Sequence, residues 1–347
     1  ASVAGGILRI QELRRHRVGL TLDLSIGGRQ LLDVPMRDNA LRVYLPARTY
    51  RMLRAETRSG EIEVSGGLSF DRAVLRSASG DVEFRAAVQS GADAIYLGYG
   101  NFNARRNAVN FDEAALQEAV QYCHLRGVKV YLTLNTLLND RELTQAAKLV
   151  DQVSQMGVDA LLVQDLGVAR MCRQVAPDLP LHASTQMTIH SLDGAKAAAD
   201  LGMTRVVVSR ELSRDQIAYL CDRSPVEIEC FVHGALCMCY SGQCFFSSVI
   251  GGRSGNRGMC AQPCRLNYGW GQTADKPLLS LKDMSLAKHL QELEEMGVAC
   301  AKIEGRMKRP EYVAVVTKVY ATAIREHRDP TPGEQQALAH AFSRQGF

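Results

Sequence analysis

A short unit recurs along this chain from about Val74 onward, and it limits the folds available more than any other feature. A helix-like stretch closes on a glycine, two or three residues follow, and a continuous apolar run begins. Gly91 precedes AIYLG, Gly127 precedes VYLTLN, Gly157 precedes ALLVQD, Gly202 precedes RVVVS and Gly297 precedes CAKIEG. Glycine just past a helix end accepts the left-handed conformation that turns the chain toward a strand. The runs are continuous rather than alternating, as in parallel strands covered on both faces. Adding VLRS at Val74, LHAST at Leu181 and IECFVHG at Ile228 gives eight strand candidates. The helices between them have capping residues at Asn110 and at Ser213 with Gln216, and Pro310 suits a first helical turn. The predicted fold class is α/β, a (β/α)8 TIM-type barrel.

The second constraint is a cysteine-rich stretch from His233 to Arg265. Cys237, Cys244, Cys260 and Cys264 are spaced C-x6-C-x15-C-x3-C, and the chain between them is rich in Gly and Ser. Thiolates gathered in this way suit zinc or an iron–sulfur cluster. Zinc ribbons usually use two short pairs, and only Cys260 and Cys264 fit that pattern. Cys239 forms a C-x-C with Cys237, so one of those two is a bystander. The plainer alternative is a set of reduced core cysteines. Cys123, Cys172 and Cys221 fall at helical spacing with apolar neighbours, and Cys230 and Cys300 fall in strands, so these five read as core.

The stretch FVHGALCMCYSGQC followed by SSVIGGRSGNRGMCAQPCR resembles the signature of the so-called peptidase U32 family. The resemblance continues through GADAIYLG, FNARRNAVNF, KVYLTLNTLL, DALLVQDLGVAR, LHASTQMTIH, RVVVSREL and AKIEGRMKRPEYV, roughly Gly80 to Arg328. It implies an iron–sulfur protein, with a [4Fe–4S] cluster on Cys237, Cys244, Cys260 and Cys264 and with Cys239 supernumerary. It also implies one of two activities. Some members are prephenate-dependent hydroxylases of RNA pyrimidines; others are factors of oxygen-independent quinone hydroxylation. The closing AFSRQGF is similar to a phrase of the longer, rRNA-directed branch, which implies a cytidine of 23S rRNA as target and a tRNA uridine next. At Val74 to Gly80 the chain departs from the family, whose members carry an apolar strand and a Pro-Ala-Gly loop there.

Barrels of this kind keep their functional groups at the C-terminal ends of the strands. Those ends supply Tyr96, Asn103, Arg105, Asn135, Gln164, Gln186, Arg210, His233, Lys302, Glu304 and Arg306. Arg105, Arg210 and Arg306 are suited to carboxylates through paired hydrogen bonds, and prephenate carries two carboxylates. The amides of Asn103, Asn135, Gln164 and Gln186 are suited to a base edge. His233 reads as an acid/base or as a donor near the thiols, and Glu304 beside Lys302 and Arg306 as their orienter or as a base. Asp165 reads equally as a helix cap, and His182, inside an apolar run, as a satisfied core histidine.

Residues 1–73 read as a small β-rich module, from LTLDLSI, LRVYL and EIEVSG. It is similar to an accessory domain that follows the barrel in longer family members. The first 77 residues hold 13 arginines against 8 acids, whereas the remaining 28 basic and 29 acidic residues nearly cancel. An arginine-rich module can bind a phosphate backbone, and scattered solvated arginines are the alternative. The barrel is expected over 74–328, and 329–347 as a tail. With no initiator Met and an ending in mid-phrase, the sequence reads as a piece of a longer protein.

No apolar run approaches a bilayer span, and no signal peptide opens the chain. Ten cysteines without such a signal point to a reducing compartment, the cytoplasm. Two other readings compete with an RNA-modifying enzyme. One is a protease with Cys237 as nucleophile and His233 as base, although no G-x-S-x-G or H-E-x-x-H occurs. The other is a cluster-bearing subunit that works with a partner in quinone hydroxylation.

Overall fold

The structure, a computed structural model, describes residues 84–100, 102–104, 111–269, 275–305 and 308–341 with their side chains. For residues 81–83, 270, 273 and 274, and for the strands between Ile7 and Ser77, it describes the backbone alone. The chain divides into two compact units, Ala1–Arg85 and Ala86–Phe347.

The first unit contains β1 (Ile7–Arg14), β2 (Arg17–Leu24), β3 (Gly28–Pro35), β4 (Ala40–Tyr44), β5 (Thr49–Tyr50), β6 (Met52–Thr57), β7 (Glu61–Ser65), β8 (Ser69–Phe70) and β9 (Ala73–Ser77). One sheet runs β3-β2-β1-β6-β9, and β4–β7 and β5–β8 form separate pairs. The run at Val74, expected as the first barrel strand, is β9 and pairs parallel with β6. The arginines from Arg9 to Arg76 lie outside the residues described with side chains.

Helix α1 (Asp81–Gln89) is followed by β10 (Ala94–Gly98), α2 (Glu113–His124), β11 (Lys129–Leu134), α3 (Asp140–Gln155), β12 (Ala160–Val163), α4 (Leu166–Val175) and β13 (Leu181–Ala183). Then come α5 (Leu192–Asp200), β14 (Met203–Val207), α6 (Arg214–Arg223), β15 (Glu227–Ala235), α7 (Phe246–Gly251), the hairpin of β16 (Tyr268–Trp270) and β17 (Thr273–Lys276), and β18 (Asp283–Ser285). The unit ends with α8 (Leu290–Glu295), β19 (Cys300–Ile303), α9 (Pro310–Arg325) and α10 (Pro332–Ala341). Seven strands form one curled parallel sheet in the order β10-β11-β12-β13-β14-β15-β19, and β18 lies antiparallel at the end of β15. The curl brings the two outer strands together, since the Tyr96 hydroxyl on β10 donates to the Ile303 carbonyl on β19 at 3.0 Å.

The glycines that predicted the strands do close helices. Gly91, Gly127, Gly157, Gly202 and Gly297 all have φ between +70° and +95°, a region that costs residues with a Cβ about 1–2 kcal/mol. Ser213 and Gln216 form the expected capping box of α6, and Pro310 opens α9. Asn110 lies outside the described residues, and the cap of α2 is Asp112, which accepts from the Ala115 amide at 2.9 Å. The segment past 328, expected as a tail, includes α10, whose Leu338 is buried with Val316 and Tyr320 of α9. No helix among the described residues is long and apolar enough to cross a membrane.

Apolar side chains fill both faces of the sheet. Tyr131, Ala160, Leu162, Val207 and Phe231 meet inside the curl, while Val232 packs outward on α8 and α9. The core cysteines are inert, because burial raises the Cys172, Cys230 and Cys300 thiols to about 12. Two histidines are also buried. Burial, with Arg205 behind it, lowers the His182 imidazole to about 4, and burial with Lys308 lowers His233 to about 4. Both are neutral in the fold and take up protons on unfolding. Their stabilisation, on the order of 3 kcal/mol each, is complete above about pH 6.5 and is lost as pH falls toward 4. Denaturant titrations over this range should show stability falling with acid, and His182→Leu should reduce the slope by up to one proton. An unchanged slope would show that His182 is not neutral in the fold.

Candidate functional site

At the C-terminal ends of the parallel strands lies a cavity of about 200 Å³. The strands contribute Tyr96, Thr133, Asn135, Ser184, Gln186, Arg210, Lys302 and Glu304, and the cysteine-rich loop contributes Cys237, Tyr240, Cys244 and Cys260.

Four attachments hold that loop against the strand ends. Asn256 donates to the Gln164 side chain at 3.0 Å and accepts from the Leu137 amide at 3.3 Å. Arg257 grips Glu142, in the first turn of α3, through two bonds of 3.0 Å. Gln243 donates to the Gln186 carbonyl at 3.1 Å, and Arg265 donates to the carbonyls of Leu236 and Leu281. Gly258 (φ +73°) sits on the backbone of Ala104, where an added Cβ would lie 2.2 Å from the carbonyl oxygen. Only glycine fits there.

Cys237, Cys244 and Cys260 line the cavity, and Cys264 lies near enough for its charge to act on the Cys237 thiol. Cys237 keeps an exposed flank, but burial of its sulfur raises its pKa, and Arg210 opposes the rise. The Gln262 amide donates to the Cys260 sulfur at 3.3 Å. Cys239 is exposed and is not part of the cavity wall. No three His, Cys, Asp or Glu groups among the described residues converge on a single metal ion. A tetrahedral zinc needs such convergence. An iron–sulfur cluster tolerates wider spacing because each thiolate bonds a different iron, and N–H···S bonds are among the contacts that tune it. Thiolate donors of this kind suit zinc or an iron–sulfur cluster.

The charged wall is tightly arranged. Glu304 accepts from the Ala235 amide at 2.8 Å and pairs with Arg210 at 3.5 Å. Gly234 permits this, since a Cβ there would lie 2.5 Å from that of Glu304. Arg210 also donates to the Ala235 carbonyl and lies 3.8 Å over the Phe231 ring, while its buried Nε has no partner among the described residues. Lys302 sits deeper, 2.5 Å from Glu229 and 4.2 Å over the Tyr96 ring.

Several strand-end residues serve the fold instead. Asn103 donates to the carbonyls of Tyr99 and Gly100 within its own turn, off the cavity. Asn135 lines the cavity but spends its amide on the Ala104 N–H and the Ser184 hydroxyl. Gln164 ties the Gln186 carbonyl to Asn256. Among the four amides, Gln186 has its buried carbonyl oxygen without a partner among the described residues. Asp165 caps α4. Arg105 and Arg306 lie outside the described residues.

His233 is fully buried, bonded to the Tyr320 hydroxyl at 3.1 Å and in ring contact with Tyr312 and Tyr320. The reason is a bulge. Phe231 and His233 oppose the consecutive residues Lys302 and Ile303, so His233 is turned out toward α9 beside Val232. It therefore does not face Cys237 as a base. His182 is in the core as expected, but its Nδ1 has no partner among the described residues. The residue that sequence reasoning missed is Glu229, 1% exposed, which binds both Lys302 and Arg205. Its signal was a carboxylate inside the apolar run IECFVHG.

The model of peptidase family U32 matches residues 81–347. The chain belongs to this family. A second model, Toastrack DUF4097, matches residues 16–123. Among U32 relatives, the 23S rRNA 5-hydroxycytidine C2501 synthase of Escherichia coli is 43% identical over 265 residues, covering 75% of this chain and 39% of that protein. The tRNA hydroxylation protein P1 of Bacillus subtilis is 34% identical over 72% of this chain and 62% of its own length. An uncharacterized protease of Methanocaldococcus jannaschii is 38% identical over 69% of this chain and 62% of its own. The chain thus spans between two fifths and two thirds of these U32 proteins.

The docking of the U32 loop is testable at two glycines. Gly252 (φ +63°) faces open space, so Gly252→Ala should cost only the backbone strain, about 1 kcal/mol. Gly258→Ala adds the clash with Ala104 and should cost at least about 2 kcal/mol, with faster proteolysis between Cys244 and Cys260. Equal costs and equal cleavage would mean that the Gly258 contact does not hold the loop.

Proposed function

We propose that this chain is the reaction domain of an RNA-modifying enzyme that hydroxylates C5 of a pyrimidine, a 23S rRNA cytidine first and a tRNA uridine next. In this reading prephenate is the co-substrate, and Cys237, Cys244, Cys260 and Cys264 hold a [4Fe–4S] cluster. The observation that carries it is one cavity shared by the loop thiols and by the strand-end groups Lys302, Arg210 and Gln186. When bound, the cluster supplies one-electron redox capacity beside that cavity.

The chain's own residues do the remaining work. Lys302 offers an ammonium to a carboxylate of the co-substrate. Arg210, held by Glu304, faces the thiols and offsets their negative charge. The unpartnered Gln186 oxygen accepts from the exocyclic amine of a cytosine, a donor that uracil lacks. Tyr240 at the cavity wall, stacked on His190 at 6.2 Å, offers a platform for a base splayed from its helix. The names of the E. coli and B. subtilis relatives support RNA as the substrate. The protease reading is disfavoured by His233, whose ring is committed to the core.

Two measurements test the proposal. Anaerobically purified Cys239→Ser protein should keep its iron and sulfide, whereas Cys244→Ser should lose most of both; equal loss in the two would sink the ligand assignment. Mass spectrometry of ribosomal and transfer RNA from cells lacking this protein should show one hydroxylated pyrimidine missing, restored by the wild type and not by Cys244→Ser. If every such nucleotide persists, the quinone-directed or partner-subunit reading takes the place of this one.

A further inference from the structure

Beneath the cavity lies a set of buried charges. Lys302 is 6% exposed and still reaches the cavity wall. Among the described residues its single hydrogen-bond partner is Glu229, at 2.5 Å. One side of the ammonium lies over Tyr96 at 4.2 Å, and Phe231 stands 5.7 Å away. An ammonium has three N–H donors, so two remain without a hydrogen-bond partner among the described residues. Burying a cation in this state is costly unless a counter-charge accompanies it.

Glu229 supplies that counter-charge and is placed by others in turn. Its second oxygen takes Arg205 at 3.4 Å, and Arg205 is anchored on Glu227 at 2.7 Å and lies near the Tyr131 hydroxyl at 3.5 Å. Burial alone would raise the Glu229 carboxyl, but Lys302 and Arg205 outweigh it and hold the group below the usual range. The carboxylate is shared between two cations, so Lys302 is only partly neutralised. Arg210, by contrast, already faces Glu304 across 3.5 Å. Among the described cavity cations, Arg210 keeps its Nε without a partner, and Lys302 keeps two of its three donors.

We infer that Glu229 is a positioning residue, which keeps Lys302 as a fixed, charged anion receptor on the cavity floor for a carboxylate of the small-molecule co-substrate. This deepens the proposed function and rests on its carboxylate co-substrate. A purely structural ion pair between β15 and β19 would affect folding alone, so the deciding readout is ligand binding measured beside Tm.

Without Glu229 the buried ammonium loses both its charge partner and the hydrogen bond that fixes its place. The groups that face Lys302 are Glu229 and Phe231 from β15, Tyr96 from β10, Arg205 from β14, His182 from β13 and Cys300 from its own strand, with Tyr131 of β11 behind Arg205. His182, lowered to about 4, and Cys300, raised to about 12, do not titrate between pH 6.5 and 8.5. Tyr131 is shifted upward, away from that window.

Prephenate binding to the anaerobically prepared full chain is measured by calorimetry at pH 6.5 and 8.5, with Tm recorded for every variant. The wild type should bind equally at both values. Lys302→Met should lose about tenfold or more at both. Glu229→Gln should lose affinity at both, by less than Lys302→Met does, with a Tm change that does not account for the loss. The double variant should match Lys302→Met, because Glu229 acts only through Lys302. Should Glu229→Gln not fold, Glu229→Asp, which keeps the charge and shortens its reach, carries the same comparison with a smaller loss. Wild-type affinity in the Glu229 variant at both pH values, or additive losses in the double variant, would overturn the positioning role. A wild type that binds no prephenate would overturn the co-substrate reading, and this inference with it.

Discussion

The contact between Gly258 and the backbone of Ala104 sets the geometry of the whole site. A loop of nearly thirty residues, half of them Gly, Ser and Cys, leaves Phe245, Val249 and Ile250 exposed, so those side chains do not fix its place. What fixes it is the approach of one glycine to one turn, with Asn256 and Arg257 just before it to supply directional bonds. These partners belong to different strand ends and to α3, so the loop is referenced to the sheet at several points. The thiols and the strand-end cations then share a cavity because both are measured from one scaffold. A site built from a mobile loop alone would lose the small tolerances that redox and recognition chemistry require.

Much of the sheet was legible in the sequence because two simple signals coincided. A glycine that needs positive φ marks a helix end, and an uninterrupted apolar run marks a strand covered on both faces. Where one signal was missing, at Val74, the strand went to another sheet. The site was legible for a similar reason: parallel strands in a curled sheet all end on one side, so Tyr96, Gln186, Arg210, Lys302 and Glu304 had to gather there.

Side-chain direction was not legible. Strand ends named His233, but a single extra residue in β15 turned it from the interior to α9. The amides of Asn103, Asn135 and Gln164 were correctly placed near the strand ends, yet their hydrogen bonds are consumed by local backbone and by the loop. No pattern in one dimension shows whether a donor is already satisfied. Glu229 was hidden for the opposite reason. A lone carboxylate in an apolar run resembles an interruption until its partners, Lys302 from 73 residues further on and Arg205 from 24 residues earlier, are seen beside it.

The hydroxyl of Tyr96 also has a wider meaning. Among the described residues β10 pairs only with β11, and β19 only with β15, so the bond from Tyr96 to Ile303 crosses a seam without a backbone ladder. A seam closed by a side chain opens with less cooperativity than one closed by peptide bonds, and its amides exchange with solvent sooner than those of central strands. The same tyrosine ring covers the Lys302 ammonium. One side chain therefore both closes the seam and covers the cavity cation.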